Sequence, residues 1–88
     1  MNEMNVYDDR VIEIADLADF HYEMSMRCAS RYDNTDDIKY HEGAYRSICN
    51  VLSILTGYFW GYKPRYNRVL PCYENGEIVE EWLEVDKK

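Results

Sequence analysis

The chain lacks most of the patterns that mark catalytic, metal-binding and membrane proteins. Its 88 residues include three cysteines, two prolines and four glycines. Cys28, Cys49 and Cys72 are odd in number and far apart, with no CxxC pair and no Cys/His ligand spacing. Neither a disulfide framework nor a zinc module is indicated, and reduced thiols are expected. The sparse glycines form no phosphate-cradling loop, and neither GxSxG nor HExxH occurs. The longest apolar run, Val51 to Tyr62, is about half a bilayer span. Ser53, Thr56, Gly57 and Gly61 interrupt it, which excludes a transmembrane helix. Met1 to Arg10 is polar and acidic, unlike a secretory signal, so a cytosolic location and no membrane partner are expected. No cofactor or metal is implied, and the chain reads as a non-enzyme.

Positive charge is also scarce. Ten Lys and Arg face 17 Asp and Glu, a net charge of −7 with a pI near 4.7, which argues against a protein that coats nucleic acid. The charge is segregated. Residues 1–37 hold ten acids and three bases, residues 38–73 one acid and five bases, and residues 74–88 six acids and two bases. The order acidic, basic, acidic suggests separate electrostatic surfaces, or a match between the middle and the ends. Nine tyrosines stand against two Phe and two Trp. Tyrosine combines apolar area with a wet tip, which suits interface positions and equally the rim of a small core. A chain of this length buries only about 60–65% of its unfolded surface, so the core is thin and self-association is an alternative.

Hydrophobic spacing predicts one small domain of two helices and a short C-terminal element. The clearest signal is Ile38, His41, Tyr45, Ile48, Leu52, Leu55 and Phe59, widened by Ala44, Val51 and Tyr58 into a core-helix face. This second helix is expected over about 36–59. A first helix is expected over about 9–31, capped by Asp8 or Asp9, with Ile14, Leu17, His21, Met24 and Cys28 facing inward. Residues before it read as a loosely held lead-in. Tyr32 to Thr35 reads as a turn, with Asn34 or Thr35 capping the second helix and folding the pair into an antiparallel hairpin. Gly43 marks either close helix approach or a tolerated weak point. Residues 62–68 form a basic loop. Residues 69–85 then form either a β-hairpin about Asn75-Gly76, with Tyr73 opposite Ile78, or a third helix. The fold class is therefore mainly α: an antiparallel two-helix hairpin with a C-terminal β-hairpin or third helix, a small α+β fold.

Several side-chain groups carry potential chemistry. Cys28 and His41 are expected level with each other, but no orienting third group or oxyanion donor accompanies them, so helix–helix packing is the expected role. Lys63, Arg65 and Arg68 with Tyr62 and Tyr66 resemble a phosphate-and-stacking grip. Three charges flanked by acids are too few for direct nucleic-acid binding to be expected. The first helix has an acidic stripe, Asp9, Glu13, Asp16 and Glu23, with Asp19 and Phe20 nearby. Its charges advance about 5 Å each at the ~1.5 Å helical rise, close to the ~3.4 Å spacing of phosphates along a DNA strand. Such a row, joined by Glu77, Glu80, Glu81 and Glu84, is expected to act as a DNA mimic on a basic protein groove. The plain alternative is a solvated face. Tyr22 and Trp82 are the expected apolar anchors within these patches.

The second-helix run "YHEGAYRSICNVLSILTGY" and the tail "CYENGEIVEEWLEV" resemble in character the small, acidic, tyrosine-rich proteins of phages and mobile elements, and among these the anti-CRISPR inhibitors. The likeness implies a phage-encoded, stoichiometric inhibitor that binds a host effector, with a CRISPR nuclease as the candidate partner. It assigns no individual residue a role. The alternative function is a structural or regulatory homodimer built as a four-helix bundle.

Overall fold

The computed structural model describes residues 3–31 and 35–85. Its elements run α1 (Asp9–Ser30), α2 (Thr35–Thr56), β1 (Phe59–Lys63), β2 (Arg68–Cys72) and a C-terminal 3-10 helix (Glu80–Glu84). The expected small α+β architecture is present: two long helices pack along each other, and a two-stranded antiparallel hairpin lies against them. The expected turn at 32–34, with its Asn34 cap, lies outside the described residues.

Local chemistry sets the boundaries. Asp8 caps α1, its carboxylate accepting the Arg10 backbone N–H at 2.9 Å, and Asp9 adds negative charge to the positive end of the helix dipole. The end of α2 falls earlier than residue 59. Gly57 adopts φ 77° and donates its N–H to Ser53 O at 2.9 Å, a left-handed stop that glycine adopts at no steric cost. Phe59 and Trp60 are thereby released from the helix into β1.

The hairpin also differs from the expected one. β2 pairs with β1, from Phe59↔Cys72 to Lys63↔Arg68, so the basic loop is the turn of the hairpin. Asn67 sits there at φ 55° and accepts a hydrogen bond from the Tyr62 hydroxyl. Asn75-Gly76 does form a tight turn, with Gly76 at φ 86°, but it returns the chain through only one bridge, Cys72↔Ile78, one residue out of the expected register. Ile78 and Val79 then lead into the 3-10 helix.

The core gathers Val11, Ala15 and Ala18 of α1, Cys49 and Leu52 of α2, Trp60, Val69 and Leu70 of the strands, and Val79 and Trp82. The two indoles meet edge to face, centroids 5.6 Å apart at 87°, a favoured aromatic geometry. Each finds an acceptor: Trp60 Nε1–H donates to Thr56 Oγ1 at 2.8 Å, and Trp82 Nε1–H to Val6 O at 2.6 Å. The segment before α1 is not a loose lead-in. Val6 is buried, and Met4 N–H donates to Leu55 O at 2.7 Å. Gly43 has nothing within 4 Å of the place a Cβ would occupy, so it marks no close helix approach.

Candidate partner-binding surfaces

The expected acidic stripe is divided by the fold. Asp9, Glu13 and Glu23 are exposed, whereas Asp16 and Asp19 are half-buried. Asp19 reaches inward, and its Oδ1 accepts the N–H of Val69, so it positions β2 on α1 rather than facing solvent. Glu23 lies 3.5 Å from Arg27. The acids of the tail, Glu77, Glu80, Glu81 and Glu84, are all exposed. The bond from Trp82 to Val6 brings this tail beside the start of α1, where the Glu81 charge helps to raise the Tyr7 hydroxyl pKa, second to burial. The acidic segments from the two ends of the sequence are thus neighbours in space. Glu77, Glu80 and Glu81 also line a shallow concavity of about 450 Å³ with Arg65 and Tyr66.

The two expected anchors occupy other roles. Trp82 is fully buried; apolar spacing alone does not distinguish an anchor offered to a partner from one used by the core. Tyr22 is half-buried, its ring stacked on Tyr62 at 3.7 Å and 14°. That stack, with Met26 and Pro64, walls an open cleft of about 360 Å³. It also removes Tyr62 from the basic loop as a stacking platform. Arg68 is withdrawn too, its guanidinium 4.5 Å from the centroid of the Trp82 ring, a cation–π arrangement. Of the three loop cations, only Arg65 is exposed.

Cys28 and His41 do not pair. The helices meet in a register that places His41 Nδ1 2.9 Å from His21 Nδ1, one ring donating and the other accepting. Phe20 and Tyr40 approach this pair edge-on. Burial, and then the neighbouring His41, lowers the His21 pKa. Burial also pushes the Cys49 thiol up to about 11, far from the thiolate that nucleophilic chemistry needs. Among the described residues no group of three or more His, Cys, Asp or Glu is placed to hold a metal ion, and no helix is long and apolar enough to cross a membrane.

One large feature does not follow from the acidic or basic patterns. The strands cover one face of the helical hairpin, at Ala15, Ala18, Cys49, Leu52 and Thr56. On the opposite face, at helical spacing, stand Leu17 (49% exposed), Phe20 (50%), Tyr40 (64%), Val51 (46%) and Ile54 (80%). Met24, Ala44 and Leu55 are half-buried, and Ile14 and Ile48 pack against the core from between the helices. Much of the predicted inward line of α1, with Leu17 and Met24, therefore looks away from the sheet.

The geometry defines a small α+β protein, a helical hairpin closed on one side by a two-stranded sheet. No family model matches the chain, and searches of curated proteins and of solved structures return no match.

Proposed function

We propose that this chain is a protein-binding inhibitor whose acidic end occupies the basic, nucleic-acid-binding site of a partner. The supporting observation is the junction made by Trp82 and Val6, which brings the 3-10 helix bearing Glu80, Glu81 and Glu84 to the segment that leads into α1, where the Glu81 charge acts on Tyr7. Two acidic segments more than fifty residues apart in sequence become one surface. Carboxylates held on a folded body compete with phosphates for the same Lys and Arg donors. Spending Asp19 on the sheet shifts the centre of this surface from the middle of α1 to its N-terminal end and the 3-10 helix. The partner class is a bacterial nuclease or comparable effector, of the kind that anti-CRISPR inhibitors block.

Charge reversal at exposed positions tests this reading. Glu80→Lys with Glu81→Lys leaves the core intact, because both side chains face solvent. Immobilised wild-type protein should retain a nucleic-acid-binding protein from a bacterial lysate at low salt and release it at high salt. The reversed variant should retain it at least about tenfold more weakly. Equal retention by both proteins, or retention insensitive to salt, would refute the reading.

A further inference from the structure

We infer that the open face of the helical hairpin is a homodimer interface, and that a second copy of this chain packs on it to complete a four-helix bundle. Five large apolar side chains, Leu17, Phe20, Tyr40, Val51 and Ile54, are between 46% and 80% exposed there. Isolated exposed leucines are ordinary, but a contiguous apolar face marks an interaction site.

Three properties of this face select a second copy as the occupant. The first is charge. The chain carries −7 overall, so two copies repel unless they meet where charge is absent. From Tyr40 to Leu55 on α2 the side chains on this face are uncharged, whereas on α1 Leu17 and Phe20 are flanked one turn away by Glu13, Asp16 and Glu23. The charged residues of that α2 segment, Glu42 and Arg46, fall on other faces at helical spacing.

The second property is shape. A single amphipathic peptide helix needs a groove, whereas two parallel ridges side by side offer a layer that another two-helix layer covers. The third is area. Two 22-residue helices, about 33 Å long at ~1.5 Å per residue and about 9 Å apart, present roughly 600 Å² in projection. Side-chain relief brings the accessible area close to the ~800 Å² per partner of a standard stable interface. A two-fold axis makes such a contact closed and self-complementary, which prevents open-ended assembly.

Sedimentation equilibrium and native mass spectrometry of the full chain test this. The wild type is expected at twice its 10.6 kDa chain mass. Leu17→Glu with Ile54→Glu is expected to yield a folded single chain, because the two positions are 49% and 80% exposed and each dimer would bury four carboxylates. Phe59→Glu, at a residue 59% exposed on β1 rather than on the hairpin face, is expected to remain dimeric. Circular dichroism confirms that each variant is folded. A wild type of single-chain mass at concentrations up to about 1 mM overturns the inference. So does a dimer that survives the double variant, or one that Phe59→Glu dissociates. The Glu80/Glu81 reversal leaves this interface untouched, so dimerisation and acidic partner binding succeed or fail separately.

Discussion

The two faces of the helical hairpin are both apolar, yet they are built from side chains of different size. Where the strands lie, α1 presents the small Ala15 and Ala18 beside Val11 and Ile12, and α2 presents Cys49 and Thr56 with the larger Leu52. The open face presents Leu17, Phe20, Tyr40, Val51 and Ile54. Two indoles explain the contrast. Trp60 and Trp82 need space beneath the sheet, and small residues on the helices let the strands approach closely enough to enclose them. Interiors are packed to near-crystalline density, so bulk on one side of an interface requires its absence on the other. No such constraint acts on the open face within one chain. Small residues at Ala15, Ala18, Cys49 and Thr56, set among Val11, Ile12 and Leu52, mark the side already filled.

Removing the bulk from beneath the sheet is the most severe way to break this arrangement. Trp82→Ala should cost about 3–5 kcal/mol, the range for deleting a large buried aromatic. It empties the core beside Trp60 and frees the Val6 carbonyl and the Arg68 guanidinium at the same time. In a chain this small the result should be a largely unfolded protein at 37 °C, seen as a loss of the cooperative thermal transition. A two-state transition within a few degrees of wild type would show that the indole is not the keystone of the covered face.

The covered face also depends on one hydroxyl. Thr56 Oγ1 donates to Leu52 O at 2.7 Å and accepts from Trp60 Nε1–H at 2.8 Å. Thr56→Val preserves the shape and leaves a buried indole donor unpaired, which should cost about 1–3 kcal/mol. Urea unfolding measures it, and an unchanged midpoint would show that the hydroxyl carries no share of the stability.

These residues show what could be read from the chain and what could not. The helical hairpin was legible because Asp8, the acidic first turns and the three-four spacing of apolar residues are local signals. The hairpin turn at Asn67 was not. Asn75-Gly76 is the stronger turn dipeptide, yet the strand partner of residues 68–72 lies before them, where Gly57 ends the helix early. Pairing of that kind is decided by tertiary packing rather than by the turn. The orientation of α1 was hidden for a related reason. Its apolar residues cover more than half of its circumference, so spacing defined a helix without defining which side met the sheet. The acidic residues were individually visible, but Asp19 holding the Val69 N–H, and Trp82 in the core, depend on which side chains the strands bring within reach. A single alternating pattern carries neither fact.

The seam between the two faces carries a pH signal. His21 and His41 sit there, Nδ1 to Nδ1 at 2.9 Å, and the His21 pKa lies below the ordinary histidine value, chiefly through burial. The unfolded chain, with a pKa of about 6.5, therefore binds the proton more readily than the folded one. This contribution to stability is complete above about pH 6.5 and is lost as pH falls through the folded-state pKa of His21. Urea midpoints at neutral and mildly acidic pH should fall less in His21→Asn than in wild type. Equal losses would show that the pair does not couple folding to protons. Carboxylates titrate alike in both proteins and cancel in the difference.

The smallest expected effect separates the two faces most sharply, because it compares residues two positions apart on α2. Leu52 is fully buried on the covered face, and Ile54 is 80% exposed on the open one. Leu52→Ala should cost about 2–5 kcal/mol at any protein concentration, since the cavity lies within one chain. Ile54→Ala removes a side chain that a single chain leaves in water and replaces a β-branched residue with the best helix former. In dilute solution its effect should therefore lie within about 0.5 kcal/mol, with the propensity term favouring the variant. At higher concentration the two proteins should diverge. If a second copy covers the open face, wild-type thermal stability rises with protein concentration by mass action, and the rise is smaller in Ile54→Ala. Melting curves over a hundredfold range of concentration decide the matter. Parallel concentration dependence in both proteins would mean that Ile54 is as exposed in solution as it is on one chain.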